Sequence, residues 1–286
     1  MKFAAKVRLR LQKKEKNYLF LPRFRHLSAR SAIQGGKWTV CPIFRGKMKL
    51  FSSLIAIAML AGCAAHDSEP KPDLPAEPPP LRQSPLAARM KTAGLVNVQE
   101  QLPDILVDLK YSSTDNFVKT DVYGDLDSAY LQPDVVNMLE KAYSRLQTLD
   151  SSLTFIIYDA TRPLSVQRHM WEVLKMPIEE KGKYLSNPDK GSIHNYGAAI
   201  DISLAVRSTQ KALDMGTPFD FFGPEAEPDR EAAMLANGKL TQQQFQNRII
   251  LRKAMESAGF RQLPTEWWHY NACSREEAKK RYDVVE

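Results

Sequence analysis

Seven prolines crowd into one stretch of this chain: Pro70, Pro72, Pro75, Pro78, Pro79, Pro80 and Pro85, set among Ala, Glu and Asp. Each fixes φ near about −65° and lacks the backbone N–H that a helix interior or a central strand requires. A run of them favours extended, unpaired backbone. Residues 64 to 88 therefore read as a linker, and whatever packs into a core has to come from residues 89 to 286. That remainder is long enough for one good-sized domain. With 43% hydrophobic and 26% charged residues, the chain has the composition of an ordinary folded protein, neither disordered nor fibrous.

Ahead of the prolines the charge is lopsided. Residues 1 to 47 hold 13 Lys and Arg against the single acid Glu15, a local +12 within a formal +7, so the rest of the chain carries −5. The basic balance belongs to this leader and marks no nucleic-acid surface on the domain. From Met48 the chain reads MKLFSSLIAIAMLAGC, a positive start, an apolar run and then small residues. The run is too short for a comfortable membrane span and suits a signal-peptide core. Leu60-Ala61-Gly62-Cys63 resembles the bacterial lipobox, in which cleavage leaves the cysteine as a lipidated N-terminus. The expectation is a lipoprotein signal peptide over residues 48 to 63, with Cys63 lipidated, Met48 as initiator and residues 1 to 47 absent from the mature protein. An organelle transit peptide is the rival reading of the leader. The expected location is the bacterial cell envelope, on the periplasmic side of a membrane reached through the lipid anchor, the outer membrane in a Gram-negative cell. Cys41 lies in the leader and Cys273 reads as a small buried hydrophobe, with no spacing that supports a disulfide.

Within the domain the patterns switch between periods. Leu102 to Tyr111 alternates and reads as a strand. Pro133 to Leu149 places Val135, Val136, Leu139, Ala142, Tyr143 and Leu146 at helical spacing behind a first-turn proline. Ser152 to Tyr158 is β-branched and aromatic, hence a buried strand. A helix follows Pro163 and stops before Pro177. Ala198 to Val206 alternates, with Ile200, Ile202 and Leu204 on one face and Asp201 and Ser203 on the other. Thr241 with Gln244 predicts a capped helix that ends at Gly259, and Trp267 to Asn271 reads as a last strand. Strands and helices mix without a βαβ rhythm, so the fold class is α+β, a single domain with a mainly antiparallel sheet flanked by helices.

Three of the five histidines, His169, His194 and His269, fall in this domain. His194 sits in the loop sequence GSIHNYG, with Asp201 seven residues on, and Gly197 lets the chain bend so that both reach one cleft. His194, Asp201 and His269 fit a three-ligand zinc site with the fourth position open to water. Glu266, three residues before His269, would face away from it under strict strand alternation. Pro264 and Thr265 mark a corner that puts Glu266 ahead of the strand and on the same side, where a carboxylate serves as general base. In Trp267-Trp268 the alternation sends Trp267 to the cleft and Trp268 to the core. Taken singly, each of these residues also has a structural explanation.

Two motifs carry a resemblance. Ser192-x-His194-x-x-Gly197-x-Ala199-x-Asp201 and Glu266-x-x-His269 resemble the paired motifs of the zinc D,D-peptidases, whose fold is shared with Hedgehog-like signalling domains. The blocks YSSTDNF at Tyr111, DATRP at Asp159, MGTPFDFF at Met215 and EWWHY at Glu266 are similar to the D-alanyl-D-alanine dipeptidases of the vancomycin-resistance type. The resemblance implies one zinc ion on His194, Asp201 and His269, Glu266 as general base, and Arg162 stabilising the tetrahedral intermediate. It implies further that Asp220 receives the substrate's ammonium and that Ser192 and Tyr111 contact substrate. His169 matches no motif and reads as a surface residue. The function implied is hydrolysis of D-alanyl-D-alanine or a similar D,D-dipeptide in cell-wall peptide turnover, with no protein partner. Two alternatives stay open: a D,D-carboxypeptidase acting on peptidoglycan stems, and a zinc-containing binder of cell-wall peptide that cuts nothing. The lipobox departs from the resistance-type pattern, whose members act in the cytoplasm.

Overall fold

The structure, a computed structural model, describes residues 84 to 286. The basic leader, the expected signal peptide with Cys63 and most of the expected linker lie outside these residues. The described chain opens on helix α1 (Pro85–Thr92), which has its proline in the first turn and buries Leu86, Ala87 and Met90. The domain thus starts earlier than residue 89. A proline at the first helical position and a proline in a linker look alike in sequence, because neither needs the missing N–H.

Strand β1 (Val96–Asn97) leads into α2 (Val98–Gln101), and β2 (Leu106–Val107) follows. Only these two residues of the stretch read as a strand over 102–111 are paired, and the stretch ends in a 3₁₀ turn at Lys110–Ser112. β3 (Tyr130–Leu131) pairs antiparallel with β1 as a separate small ribbon. Helix α3 (Pro133–Leu149) keeps the boundaries its pattern predicts and buries Val135, Val136, Leu139, Ala142 and Leu146. Each Val or Leu among them contributes roughly 1.5–3 kcal/mol on full burial. β4 (Leu153–Asp159) is buried at every position. Helix α4 (Leu164–Val173) follows Pro163, and the short α5 (Ile178–Lys181) follows Pro177.

β5 (Ala199–Val206) and β6 (Lys211–Ala212) come next, then α6 (Glu231–Ala236) and α7 (Gln242–Ser257). Thr241 and Gln244 cap α7 reciprocally, and Gly259 ends it at φ +95°. β7 (Arg261–Leu263), β8 (Glu266–Asn271) and α8 (Arg275–Arg281) complete the chain. The main sheet runs β2-β4-β5-β8-β7, with β6 on β5. β2 lies parallel to β4 and the other pairs are antiparallel, so the α+β fold has a mixed, mainly antiparallel sheet. Helices α3 and α7 pack on each other and cover β4 and β5.

Register sets up the site. Asp159 on β4 pairs with Asp201 on β5, and Asp201 pairs with His269 on β8, so three polar residues form a row across adjacent central strands. The turn that brings His194 to this row ends on Gly197 at φ +66°, where a side chain would press on Leu95 Cδ2 at 2.8 Å and Thr161 Oγ1 at 3.0 Å. Both the left-handed backbone and the contact exclude a Cβ there. Gly197→Ala is expected to destabilise the domain by about 2 kcal/mol or more. The denaturant midpoint measures this, and an unchanged midpoint would contradict the role given to the glycine.

Candidate active site

His194 stands on a 3₁₀ turn (Ile193–Tyr196) that Ser192 and Asn195 cap reciprocally. Its Nε2 lies 3.2 Å from His269 Nδ1 and 3.5 Å from Asp201 Oδ1, and His269 Nδ1 lies 2.9 Å from Asp201 Oδ1. The outer nitrogens are occupied: His194 Nδ1 meets the Ala160 carbonyl at 2.6 Å, and His269 Nε2 meets Asn271 Oδ1 at 3.0 Å. Both partners are acceptors, so each imidazole directs its proton outward and its lone pair inward. Three acceptors then face one another in a buried space. That arrangement calls for a positive charge. A divalent cation fits this donor set, with the Ala160 carbonyl and the Asn271 amide oxygen fixing the ring orientations. Burial alone would lower His269, but the hydrogen bond and charge of Asp201 outweigh it and push the imidazole up to about 9. Burial likewise works to raise Asp201, yet the two histidines hold it below the usual carboxylate range. Both shifts express the same demand for positive charge.

Arg162 is tied to the same turn. Its N–H donates to the His194 carbonyl at 3.1 Å, and the Asn195 amide donates to the Arg162 carbonyl at 2.7 Å. The guanidinium donates through Nε and Nη2 to Asp159 Oδ2, at 3.0 and 2.5 Å. Asp159 is wholly buried and also accepts from the Tyr123 hydroxyl at 2.6 Å and from the Ala160 N–H. The pairing of Arg162 with Asp159 and the placing of Arg162 on the cleft therefore coexist. Nη1 keeps no hydrogen-bond partner among the described residues, and Arg162 lines the cleft.

Glu266 is the first residue of β8, not a residue ahead of it. It reaches His269 Nδ1 at 4.0 Å because β8 is irregular: Glu266 pairs with Leu263, whereas Tyr270 pairs with Gln262, so three residues of β8 sit opposite a single step of β7. Such a bulge breaks the alternation that would separate the two side chains. Burial raises the Glu266 carboxyl above its ordinary value, while its side chain keeps 23% exposure toward the cleft. The bulge also reverses the expected roles of the tryptophans. Trp268 lines the cleft, and Trp267 turns away, donating its indole N–H to Thr217 Oγ1 at 2.8 Å.

Asp220 and Tyr111 close another wall, the Tyr111 hydroxyl donating to Asp220 Oδ2 at 3.0 Å. Burial, with the Asp201 charge adding to it, pushes the Asp220 carboxyl well above its ordinary value. A carboxyl in that setting gains from an incoming cation. Ser192 lines the cleft as well, its Oγ accepting from the His194 N–H. The cleft measures about 180 Å³, small beside the roughly 300–1,000 Å³ of pockets for drug-sized ligands.

All the candidate residues of the domain thus share one cleft, whereas His169 is exposed and Cys273 is buried and free. Sequence reasoning missed Tyr123, Asn195 and Asn271, and met Asp159 only as the first residue of the DATRP block. Asn195 is fully buried and makes three hydrogen bonds with its side chain. Its place inside the Ser192–Gly197 motif is the one signal available for it.

A family model described as D-ala-D-ala dipeptidase matches residues 91–285. The chain is 30% identical over 179 residues to the D-alanyl-D-alanine dipeptidase of Escherichia coli, spanning 63% of this chain and 84% of that protein. It is 29% identical over 191 residues to the D-alanyl-D-alanine dipeptidase of Enterococcus faecalis, spanning 62% and 90%. Among solved structures, a vancomycin resistance D,D-pentapeptidase in complex with Zn(II) aligns over 54% of this chain and 79% of that one, with 14% identity and a TM-score of 0.27.

Asn271 offers a test of the cation reading that leaves all three inner donors in place. Asn271→Ala is expected to weaken divalent-metal affinity about tenfold or more, as read by competition with a chromophoric chelator. Unaltered affinity would contradict the part assigned to the His269–Asn271 bond.

Proposed function

The chain belongs to the D-Ala-D-Ala dipeptidase family of peptidases, and from that membership we infer how its cleft hydrolyses a D,D-dipeptide in cell-wall peptide processing. The observation that carries the reading is the meeting of three inward-facing acceptors, one carboxylate and one guanidinium in a single small cleft. His194, Asp201 and His269 hold one zinc ion. When bound, zinc supplies Lewis-acid polarisation of the scissile carbonyl and a water that is acidic near neutral pH.

The remaining work falls to the chain's own side chains. Glu266 takes the proton of the attacking water and passes it to the leaving amine nitrogen. Its burial-raised carboxyl suits both halves of that transfer. Arg162 points its free Nη1 toward the developing oxyanion, held in direction by Asp159, so little reorganisation is needed as charge appears. Asp220, oriented by Tyr111, receives the substrate's ammonium, and Ser192 contacts its carboxylate end. A partly buried carboxyl at the ammonium position favours a free dipeptide over an acylated chain end, which argues against the carboxypeptidase alternative. The acid and the guanidinium in the cleft argue in turn against a binder that cuts nothing.

Kinetics on the metal-loaded protein test this. Glu266→Gln is expected to lower kcat at least about a hundredfold with metal content unchanged, and free D-alanyl-D-alanine is expected to be cleaved faster than its N-acylated form. Faster cleavage of the acylated form would overturn the Asp220 assignment, and full activity in Glu266→Gln would overturn the base.

We further propose that the protein is exported and lipid-anchored through Cys63, on the strength of residues 48 to 63 alone. Cys63→Ala is expected to move the protein from the membrane fraction to the soluble fraction and to abolish incorporation of labelled fatty acid. Membrane association that survives the substitution would sink this reading.

A further inference from the structure

Asp220 adopts a left-handed backbone at φ +59° within a segment that leaves β6 at Ala212 and enters α6 at Glu231. A non-glycine residue in that region is held there by its surroundings. One face of α7, where positions 244, 247 and 248 lie side by side at helical spacing, bonds to this segment on both sides of Asp220. Gln244 Nε2 donates to Asp214 Oδ2 and Asn247 Nδ2 to the Asp214 carbonyl, each at 2.8 Å. Arg248 donates through Nε to the Met215 carbonyl at 2.6 Å and through Nη1 to the Glu225 carbonyl at 2.8 Å. One guanidinium therefore clasps the backbone five residues before and five residues after Asp220.

Arg248 is fully buried, lies over the Trp267 ring at 5.6 Å and has Glu231 Oε1 at 3.6 Å. Its Nη2 and Glu231 Oε1 have no hydrogen-bond partner, so the cluster is incompletely satisfied. A well-packed apolar residue commonly serves stability at least as well as a buried ion pair. The guanidinium gives what an apolar side chain cannot, namely two directed bonds to two separate carbonyls of one loop.

We propose that Arg248 is a positioning residue for substrate selection: by joining Met215 to Glu225 it fixes Asp220 against Tyr111 and so sets the ammonium site. The proposal rests on the reading that Asp220 receives the substrate's ammonium. Arg248 touches neither the substrate nor the metal ligands, and its influence falls on KM for substrates with a free ammonium.

Arg248→Met, Arg248→Lys and Asp220→Asn, made in the full chain and loaded with zinc, are compared for metal content, kcat and KM on free and N-acylated D-alanyl-D-alanine. Arg248→Met is expected to raise KM for the free dipeptide about tenfold or more, with kcat within about threefold and the acylated substrate unaffected. Arg248→Lys, which can still reach one carbonyl, recovers part of the loss. An unchanged KM, or equal losses on both substrates, overturns the proposal. If Asp220→Asn raises KM and Arg248→Met does not, only this inference falls. If Asp220→Asn leaves KM unchanged, the ammonium reading falls and the inference falls with it. Should Arg248→Met fail to fold, the double variant Gln244→Ala/Asn247→Ala, which cuts the Asp214 ties on the same helix face, is read by the same criteria.

Discussion

The cross-strand pair of Asp201 on β5 and His269 on β8 is the contact on which the cleft depends. A one-residue slip of β8 would turn His269 to the other face and remove it from the row that Asp159 begins on β4. The apolar side of β8 resists such a slip, because Tyr270, paired with Ile200 and fully buried on the other face, would be carried into the polar cleft. Hydrophobic packing on one side of the sheet therefore sets the geometry of the polar cluster on the other. The cluster works against folding when it is empty of positive charge, since desolvating three acceptors is unfavourable unless a cation joins them.

What was legible in the sequence was local. Pro133, the Thr241/Gln244 box and Gly259 mark helix ends through bonds made within a turn, so α3 and α7 emerge with the expected limits. The family motifs pointed to residues that share one cleft, each motif being one short piece of chain. What depends on pairing between distant segments was not legible. The two-residue strands β1, β2 and β3 bury too little pattern to announce themselves. The bulge in β8 arises from its fit to β7, so neither the shared orientation of Glu266 and His269 nor the exchange of Trp267 and Trp268 follows from alternation. Tyr123 reaches Asp159 across thirty-six positions, and nothing near either residue foretells the bond.

The site divides its labour between two kinds of support. Asp201, His269 and Glu266 sit on strands, and His194 sits on a turn locked to Arg162 by backbone and amide bonds. In the proposed function these are the groups that meet the reacting atoms, where a displacement of about 1 Å can cost a hundredfold in rate. Asp220 and Tyr111 stand instead on loop and 3₁₀ backbone, where the sheet offers no register to hold them. That wall is steadied from outside, by Tyr111 stacking with Tyr123 and Phe219 and by the buried face of α7. On the proposed reading, strands carry the groups for the chemistry, and a stapled loop carries the group that selects the substrate. The bonds of the Arg248 staple end on loop carbonyls, and the loop meets β8 through side chains, at Trp267, which lies against Arg248 and donates to Thr217, and at Trp268, which packs on Phe219.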